Sequence, residues 1–244
     1  ENGLKLLKDK PEETIDSSFK ALALKASGFS YSVEQSKHME FPELKEEQFK
    51  QLENLIELRL QNTPLAHILN RQQFMGIEFI SDSRALIPRK ETEILGKTAL
   101  EISNKISNSK NKVSIIDVCC GSGNLGISLA YHNPNANVFM SDLSHEAVDL
   151  ANENILFLNL AQRVIAYQGD MFESFEHEKY YEKVDLVVCN PPYISSAKVT
   201  KMETEISEHE PKLAFDGGMM GFNIIQKVIR EAPKFLISGG WLAF

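Results

Sequence analysis

Four short stretches in the second half of the chain carry residues able to do chemistry. The first is Asp117-Val118-Cys119-Cys120-Gly121-Ser122-Gly123-Asn124-Leu125-Gly126, set between an apolar run and a helical one. Gly121 and Gly123 let the backbone turn tightly and approach a ligand. The helix start beyond them offers free N–H groups to an anionic group. Residues 121–126 match the G-x-G-x-x-G fingerprint of dinucleotide sites, which can also be a tight turn without a ligand. The second stretch is Asp142, 19 residues after Gly123. A carboxylate there can accept hydrogen bonds from both hydroxyls of a ribose. Helix capping is its plainer role, and Ser144 already supplies that cap. The third is Gly169-Asp170-Met171-Phe172, where Asp170 can accept from an adenine amino group and Met171 can pack on the ring. A surface turn with a core methionine fits equally well. The fourth is Asn190-Pro191-Pro192-Tyr193, directly after an apolar run. Two prolines stiffen the backbone and hold Asn190 extended. The Asn190 side-chain carbonyl and a nearby main-chain carbonyl can then take the two N–H bonds of one planar NH2 group. That aims the nitrogen lone pair at an electrophile, and Tyr193 offers a flat face for stacking.

These residues need a scaffold, and the hydrophobic pattern describes one. Phe19, Leu22, Ala23 and Ala26, then Phe49, Leu52, Leu55, Ile56 and Leu60, recur at helical spacing, so residues 1–70 read as a small helical bundle. Phe74, Ile77, Phe79 and Ile80 around Gly76 predict a β-hairpin linker over 71–90. Thr92 to Ile106 is helical, and Ser107 to Lys112 reads as a polar loop. From Val113 strands and helices alternate. Strands are expected at 113–118, 137–142, 164–167 and 184–189, and a fifth opening at Trp241–Phe244. Helices are expected at 125–131, after Ser144, and around Ile225, Val228, Ile229 and Ala232. The pattern predicts a doubly wound, mostly parallel α/β sheet over residues 91–244.

The 244 residues are 43% hydrophobic and 25% charged, ordinary for a folded globular chain, with a net charge of -8. That balance disfavours nonspecific nucleic-acid binding, which Lys and Arg drive. Cys119, Cys120 and Cys189 make no disulfide framework and no C-x-x-C zinc spacing. They read as small apolar packing residues, with Cys119 and Cys120 alternating on a strand. The six histidines follow no catalytic spacing, and no metal is expected. No apolar run approaches the ~18 residues of a membrane span and no signal-peptide pattern opens the chain, so no membrane partner and a cytoplasmic location are expected. The ends at Glu1 and Phe244 read as trimmed.

The order of the Gly-rich turn, Asp142, Gly169-Asp170 and Asn190-Pro191-Pro192-Tyr193 resembles the class I S-adenosylmethionine-dependent methyltransferases that methylate planar nitrogens. More closely, the chain resembles the release-factor glutamine N5-methyltransferases. The supporting residues are Pro64-Leu65-Ala66-His67-Ile68, Phe74-Met75-Gly76-Ile77-Glu78-Phe79, Leu86-Ile87-Pro88-Arg89-Lys90-Glu91-Thr92-Glu93, Glu210-Pro211, Asp216-Gly217-Gly218, Gly221 and Gly239-Gly240. The resemblance implies a Rossmann-like methyltransferase fold with S-adenosylmethionine as cofactor. It places Cys119, Cys120, Gly121, Ser122 and Gly123 along the methionine end of the donor, Asp142 on its ribose, and Asp170 and Met171 at the adenine. Asn190 would touch donor and substrate, and Asn190 to Tyr193 would bind the target glutamine. The implied partner is a peptide-chain release factor with a Gly-Gly-Gln loop, docked with help from the N-terminal bundle. Cys119-Cys120 stands where the family carries Gly-Thr, Asn70 where it carries Gly, Lys90 where it carries Pro, and Met220 where it carries Asp. The family's closing strands have no counterpart here.

The expected reaction is in-line displacement by the amide nitrogen on the sulfonium methyl, with no base needed before attack. Adenine N6-methylation uses the same planar amine, but Glu203, Glu205, Glu208 and Glu210 follow the motif and would repel phosphate; a solvated helix face is their plainer reading. Glutamine methylation of a ribosomal protein shares the chemistry. A nicotinamide dehydrogenase would explain the Gly-rich turn and Asp142 but not residues 190–193, and a non-catalytic binding module would not need them.

Overall fold

A computed structural model describes residues 10–199, 209–218 and 221–244. Glu203, Glu205, Glu208 and Met220 lie outside the described residues.

The chain starts with short helices α1 (Ile15–Ala26), α2 (Val33–Ser36), α3 (Glu46–Leu60) and α4 (Leu65–Leu69). Thr14 starts α1 with a reciprocal cap: its hydroxyl accepts from Ser17 N at 3.1 Å, and the Ser17 hydroxyl accepts from Thr14 N at 2.8 Å. Leu22, Ala26, Val33, Leu52, Leu65 and Leu69 form the bundle core. Three residues expected in that core are instead exposed: Phe19 at 44%, Phe49 at 56% and Leu60 at 46%. Packing covers the later turns of α1, and Phe19 stacks on Phe41 at the surface, with centroids 5.9 Å apart. Asn70 ends α4 in the left-handed region, φ 55°, a conformation that glycine and asparagine adopt most readily.

Strands β1 (Gln72–Phe74) and β2 (Ile77–Phe79) pair antiparallel through the turn Met75-Gly76. Both turn residues have positive φ, as the tightest hairpin turns require. Phe74, Ile77 and Phe79 are buried in the same cluster as Ile115, Val138 and Leu186 of the main sheet. The hairpin is therefore part of that core. Helix α5 (Thr92–Lys110) runs past the loop expected at residues 107–112. Ser103 and Ser107 are buried in it and accept from Asn133 Nδ2 at 2.7 and 3.3 Å, and Asn111 closes the helix at φ 59°.

The sheet comprises β3 (Val113–Val118), β4 (Ala136–Asp142), β5 (Val164–Gln168), β6 (Val184–Cys189) and β7 (Leu236–Ala243). All neighbours are parallel, in the order β5-β4-β3-β6-β7. Helices α6 (Asn124–His132) and α7 (His145–Phe157) connect β3, β4 and β5. After β6 the chain makes one helical turn, α8 (Ser196–Val199), and returns through α9 (Asn223–Glu231) to β7. Successive β3 residues feed opposite faces, Ile115 into one core and Ile116 into the other. Strand β7 begins five residues before the expected Trp241. A register shift between its pairings at Val184 and Leu186 lets the strand absorb Gly239, which has φ 79°. Winding reverses between β3 and β6, and ligands of such sheets lie at the carboxyl ends of the strands beside that reversal. Val118 pairs there with Ser141 on one side and Cys189 on the other, so the Gly-rich turn and Asn190 leave adjacent strands.

Gly123 enters α6 at φ 79°, and an added Cβ would lie 2.7 Å from Ile127 Cδ1 and 3.1 Å from Met140 Cε. Gly123→Ala is expected to cost about 1–3 kcal/mol from backbone strain and overpacking. A lower urea midpoint at unchanged slope is the measurement that checks it.

Candidate active site

The turn after β3 folds around one carboxylate. Val118 is the last strand residue, so Cys119 and Cys120 do not alternate on a strand as expected. Cys119 turns out of the sheet at φ 59°, and its sulfur meets Met171 Sδ at 3.6 Å. Cys120 N donates to the Ser141 carbonyl at 3.0 Å, and Gly121 N donates to Asp142 Oδ2 at 2.8 Å. Asp142 Oδ1 accepts from Ser144 N at 3.0 Å. Burial pushes the Asp142 carboxyl up, and the N–H groups of Ser144, Gly121 and Leu143 pull it part of the way back. These three donors leave the carboxylate room to accept one further hydrogen bond.

An open cleft of about 920 Å³ lies over this turn. Cys119, Cys120 and Gly121 reach it from β3, Asp142 from β4, Asp170 and Met171 from beyond β5, and Asn190 with Pro192 from beyond β6. Ser122 and Gly123, expected among the ligand contacts, are not on its wall. Ser122 is buried at 1% exposure and its carbonyl accepts from Asn154 Nδ2 at 3.1 Å. Gly123 faces Ile127, Met140 and Ala151. Met171 sits at φ 58°, its carbonyl held by the Ser141 hydroxyl at 2.5 Å. Asp170 Oδ2 receives Lys227 Nζ of α9 at 2.6 Å.

Asp117 also lines the cleft, although its place in a motif did not single it out as a contact. It is 1% exposed; Oδ2 accepts from Gly126 N at 2.8 Å, while Oδ1 is buried without a partner among the described residues. Burial, with a smaller push from Asp142, raises its pKa to about 8, against the opposing pull of Gly126 N–H. The available signal was a lone acid inside the apolar run Val113–Val118.

A second cleft adjoins the first and shares Leu86, Asn190, Pro192 and Ala214 with it. Pro191, Tyr193, Arg89, Glu91 and Thr92 complete much of its wall. Asn190 Nδ2 donates to Thr92 Oγ1 at 3.5 Å. This long contact takes one N–H of the amide, and no donor reaches Oδ1 among the described residues. Behind the corner, Ile194 N donates to the Phe215 carbonyl at 3.0 Å and Gly217 N to the Ile194 carbonyl at 2.9 Å. A Cβ on Gly217 would lie 2.7 Å from the Pro192 carbonyl oxygen, so only glycine lets these segments approach this closely. Tyr193 is 65% exposed, with its ring at the open rim.

Glu210, expected on a solvated helix face, is 5% exposed. Its Oε2 accepts from Ile87 N at 2.8 Å and its Oε1 accepts from Arg89 Nη2. Burial pushes this carboxyl up, and Arg89 and the Ile87 N–H pull it part of the way back. The contact ties the stretch Leu86–Arg89, whose Leu86 walls both clefts and whose Arg89 walls the second, to the segment after the Asn190 corner.

A Gly-rich turn and an acid-lined cleft thus lie at the sheet reversal, and Asn190 is among the residues that join this cleft to the second one. Residues 92–220 match the methyltransferase small domain family. A release factor glutamine methyltransferase of Thermodesulfovibrio yellowstonii is 37% identical over 203 residues, covering 83% of this chain and 70% of that protein. One of Clostridium botulinum is 37% identical over 201 residues, covering 82% and 69%. A ribosomal protein uL3 glutamine methyltransferase of Francisella tularensis is 35% identical over 179 residues, covering 73% and 55%. The chain belongs to the release factor glutamine methyltransferase family. Among the described residues no cluster of acids, histidines and cysteines could hold a metal, and no helix is long and apolar enough to cross a membrane.

The Asp117 carboxyl titrates near 8 when folded against an ordinary 3.8. The folded chain therefore holds this proton more tightly. Its stabilising effect is complete below about pH 4 and is lost as pH rises to about 8, by up to ~1.4 kcal/mol per pH unit. Denaturant unfolding from pH 4 to 8 is expected to show Asp117→Asn gaining stability relative to the unaltered chain as pH rises.

Proposed function

We propose that this enzyme methylates the side-chain amide nitrogen of a glutamine in a peptide-chain release factor. The observation that carries the reading is the sharing of Asn190 by two clefts, one fit for a nucleoside and the other for a peptide side chain. The first cleft suits S-adenosylmethionine in its chemistry. Asp142 keeps acceptor capacity for a ribose hydroxyl, and the orphaned Asp117 oxygen and Asp142 favour a cation. Met171 offers an apolar surface to the adenine and Asp170 an acceptor to its amino group. Cys119, Cys120 and Gly121 would flank the methionine end, with Ser122 and Gly123 shaping the turn from behind. Bound there, the donor supplies an electrophilic methyl carbon.

The chain's own residues prepare the nucleophile. Asn190 Oδ1 accepts one N–H of the glutamine amide, and a main-chain carbonyl of the Pro191-Pro192 corner accepts the other. An amide nitrogen is a poor nucleophile because its lone pair is delocalised. Two acceptors raise its electron density and fix its lone pair toward the first cleft. Such positioning can supply ~7–11 kcal/mol. Tyr193 stacks on the flat carboxamide, and the surplus proton leaves through the open second cleft after transfer.

The Francisella relative supports ribosomal protein as a second acceptor of the same type. A release factor substrate places the reaction in the cytoplasm. Labelled methyl transfer to purified release factor, ribosomal protein and DNA separates the readings, with label on release-factor glutamine expected and label on DNA alone contradicting it. Asn190→Ala is expected to lower transfer about 100-fold or more, while the Kd for S-adenosylhomocysteine, read by calorimetry, changes only a few-fold.

A further inference from the structure

Arg89 lies on the wall of the second cleft with Asn190, Pro191 and Tyr193. Its side chain is only 16% exposed. Nη2 is engaged by Glu210, whereas Nη1 is buried without a partner among the described residues. The neighbouring Lys90 is held by Glu34 of the N-terminal bundle at 3.2 Å, so the guanidinium hangs on a stretch anchored at both sides. A buried donor left unsatisfied is costly, and a carbonyl entering the cleft would relieve it. We propose that Arg89 is a substrate-binding residue whose Nη1 donates to a main-chain carbonyl oxygen of the acceptor polypeptide beside the glutamine, with Glu210 as the residue that positions it. The inference rests on the glutamine reading above and extends it to how the surrounding peptide is recognised.

Two arguments select that oxygen. A guanidinium on the glutamine's own side-chain carbonyl would draw the nitrogen lone pair into the amide and oppose attack, so the donor serves a different carbonyl. Phosphate is the alternative acceptor for an arginine. Here Glu210 neutralises the guanidinium and Glu91 adds negative charge to the same cleft. What remains is a directed N–H in a site without excess positive charge, which suits a neutral peptide carbonyl. Arg89 thereby favours a glutamine within a polypeptide over a nucleobase amine or an isolated carboxamide.

The test uses the whole enzyme saturated with S-adenosylhomocysteine and a blocked peptide centred on Gly-Gly-Gln. A second peptide replaces the two peptide bonds flanking the glutamine with alkene isosteres. Fluorescence anisotropy gives Kd, and methyl transfer with S-adenosylmethionine gives KM and kcat. Arg89→Lys preserves the ion pair but lacks a second in-plane donor, and Arg89→Leu removes both. Each variant is expected to raise Kd and KM for the normal peptide about 10-fold or more, with kcat within a few-fold and S-adenosylhomocysteine affinity unchanged. For the alkene peptide, the unaltered enzyme should bind as weakly as the variants, and the substitutions should have little further effect. Unchanged Kd and KM in Arg89→Lys, or equal losses with both peptides, would overturn the proposal while leaving the glutamine reading intact. Peptide binding that depends on Arg89 without methyl transfer would contradict the glutamine reading alone. Absence of peptide binding by the unaltered enzyme would overturn both.

Discussion

A carboxamide nitrogen reacts poorly, so the proposed reaction depends on holding one acceptor oxygen, Asn190 Oδ1, still between two clefts. The constraint begins in β6, which is buried along its whole length and is followed, after Asn190, by two prolines. It continues in Thr92, which takes the Asn190 amide nitrogen, and in Gly217, which lets the chain pack against the back of the corner. None of these contacts is strong alone. Together they leave Asn190 little freedom to lose, which is the preorganisation that the proposed reaction would draw on.

The first cleft is built on a complementary electrostatic principle. Asp117 and Asp142 sit at the ends of neighbouring strands, and burial raises both carboxyls above the ordinary range. Asp117 has an unpaired oxygen, and Asp142 is tied to the Gly-rich turn by Gly121 N. A cationic ligand draws such groups toward their ionised form, so its binding and their titration are coupled. The turn achieves its shape with Cys119 and Met171 in left-handed conformations, strain held by Cys120 N on Ser141 and by the Ser141 hydroxyl on Met171.

Local chemistry made much of this readable from the sequence. Strand runs ending in Gly121, Asp142, Asp170 and Asn190 identify a parallel sheet and the loops at its carboxyl end, because those signals lie within a few residues of each other. The turn's inner half lies off the wall of the first cleft. Gly123 and Ser122 look like ligand contacts by motif, but their backbone directions point them into the protein. Arg89 and Glu210 are 121 residues apart, and Asn190 and Thr92 are 98 apart. No periodicity relates such pairs, and only the folded chain shows that Glu210 is buried. Phe19, Phe49 and Leu60 have the right spacing for a core, yet the neighbours that would cover them are elsewhere. Ser107 has the polarity of a loop residue, but it lies in α5 and accepts a buried hydrogen bond from Asn133.

The most direct measurement is a crystal structure of the enzyme with S-adenosylhomocysteine and a Gly-Gly-Gln peptide. The glutamine amide nitrogen is expected within about 3 Å of Asn190 Oδ1, with the donor sulfur on the opposite side of that nitrogen in the first cleft. A peptide amide bound away from Asn190, or a nucleoside seated outside the turn at Cys119–Gly121, would contradict it.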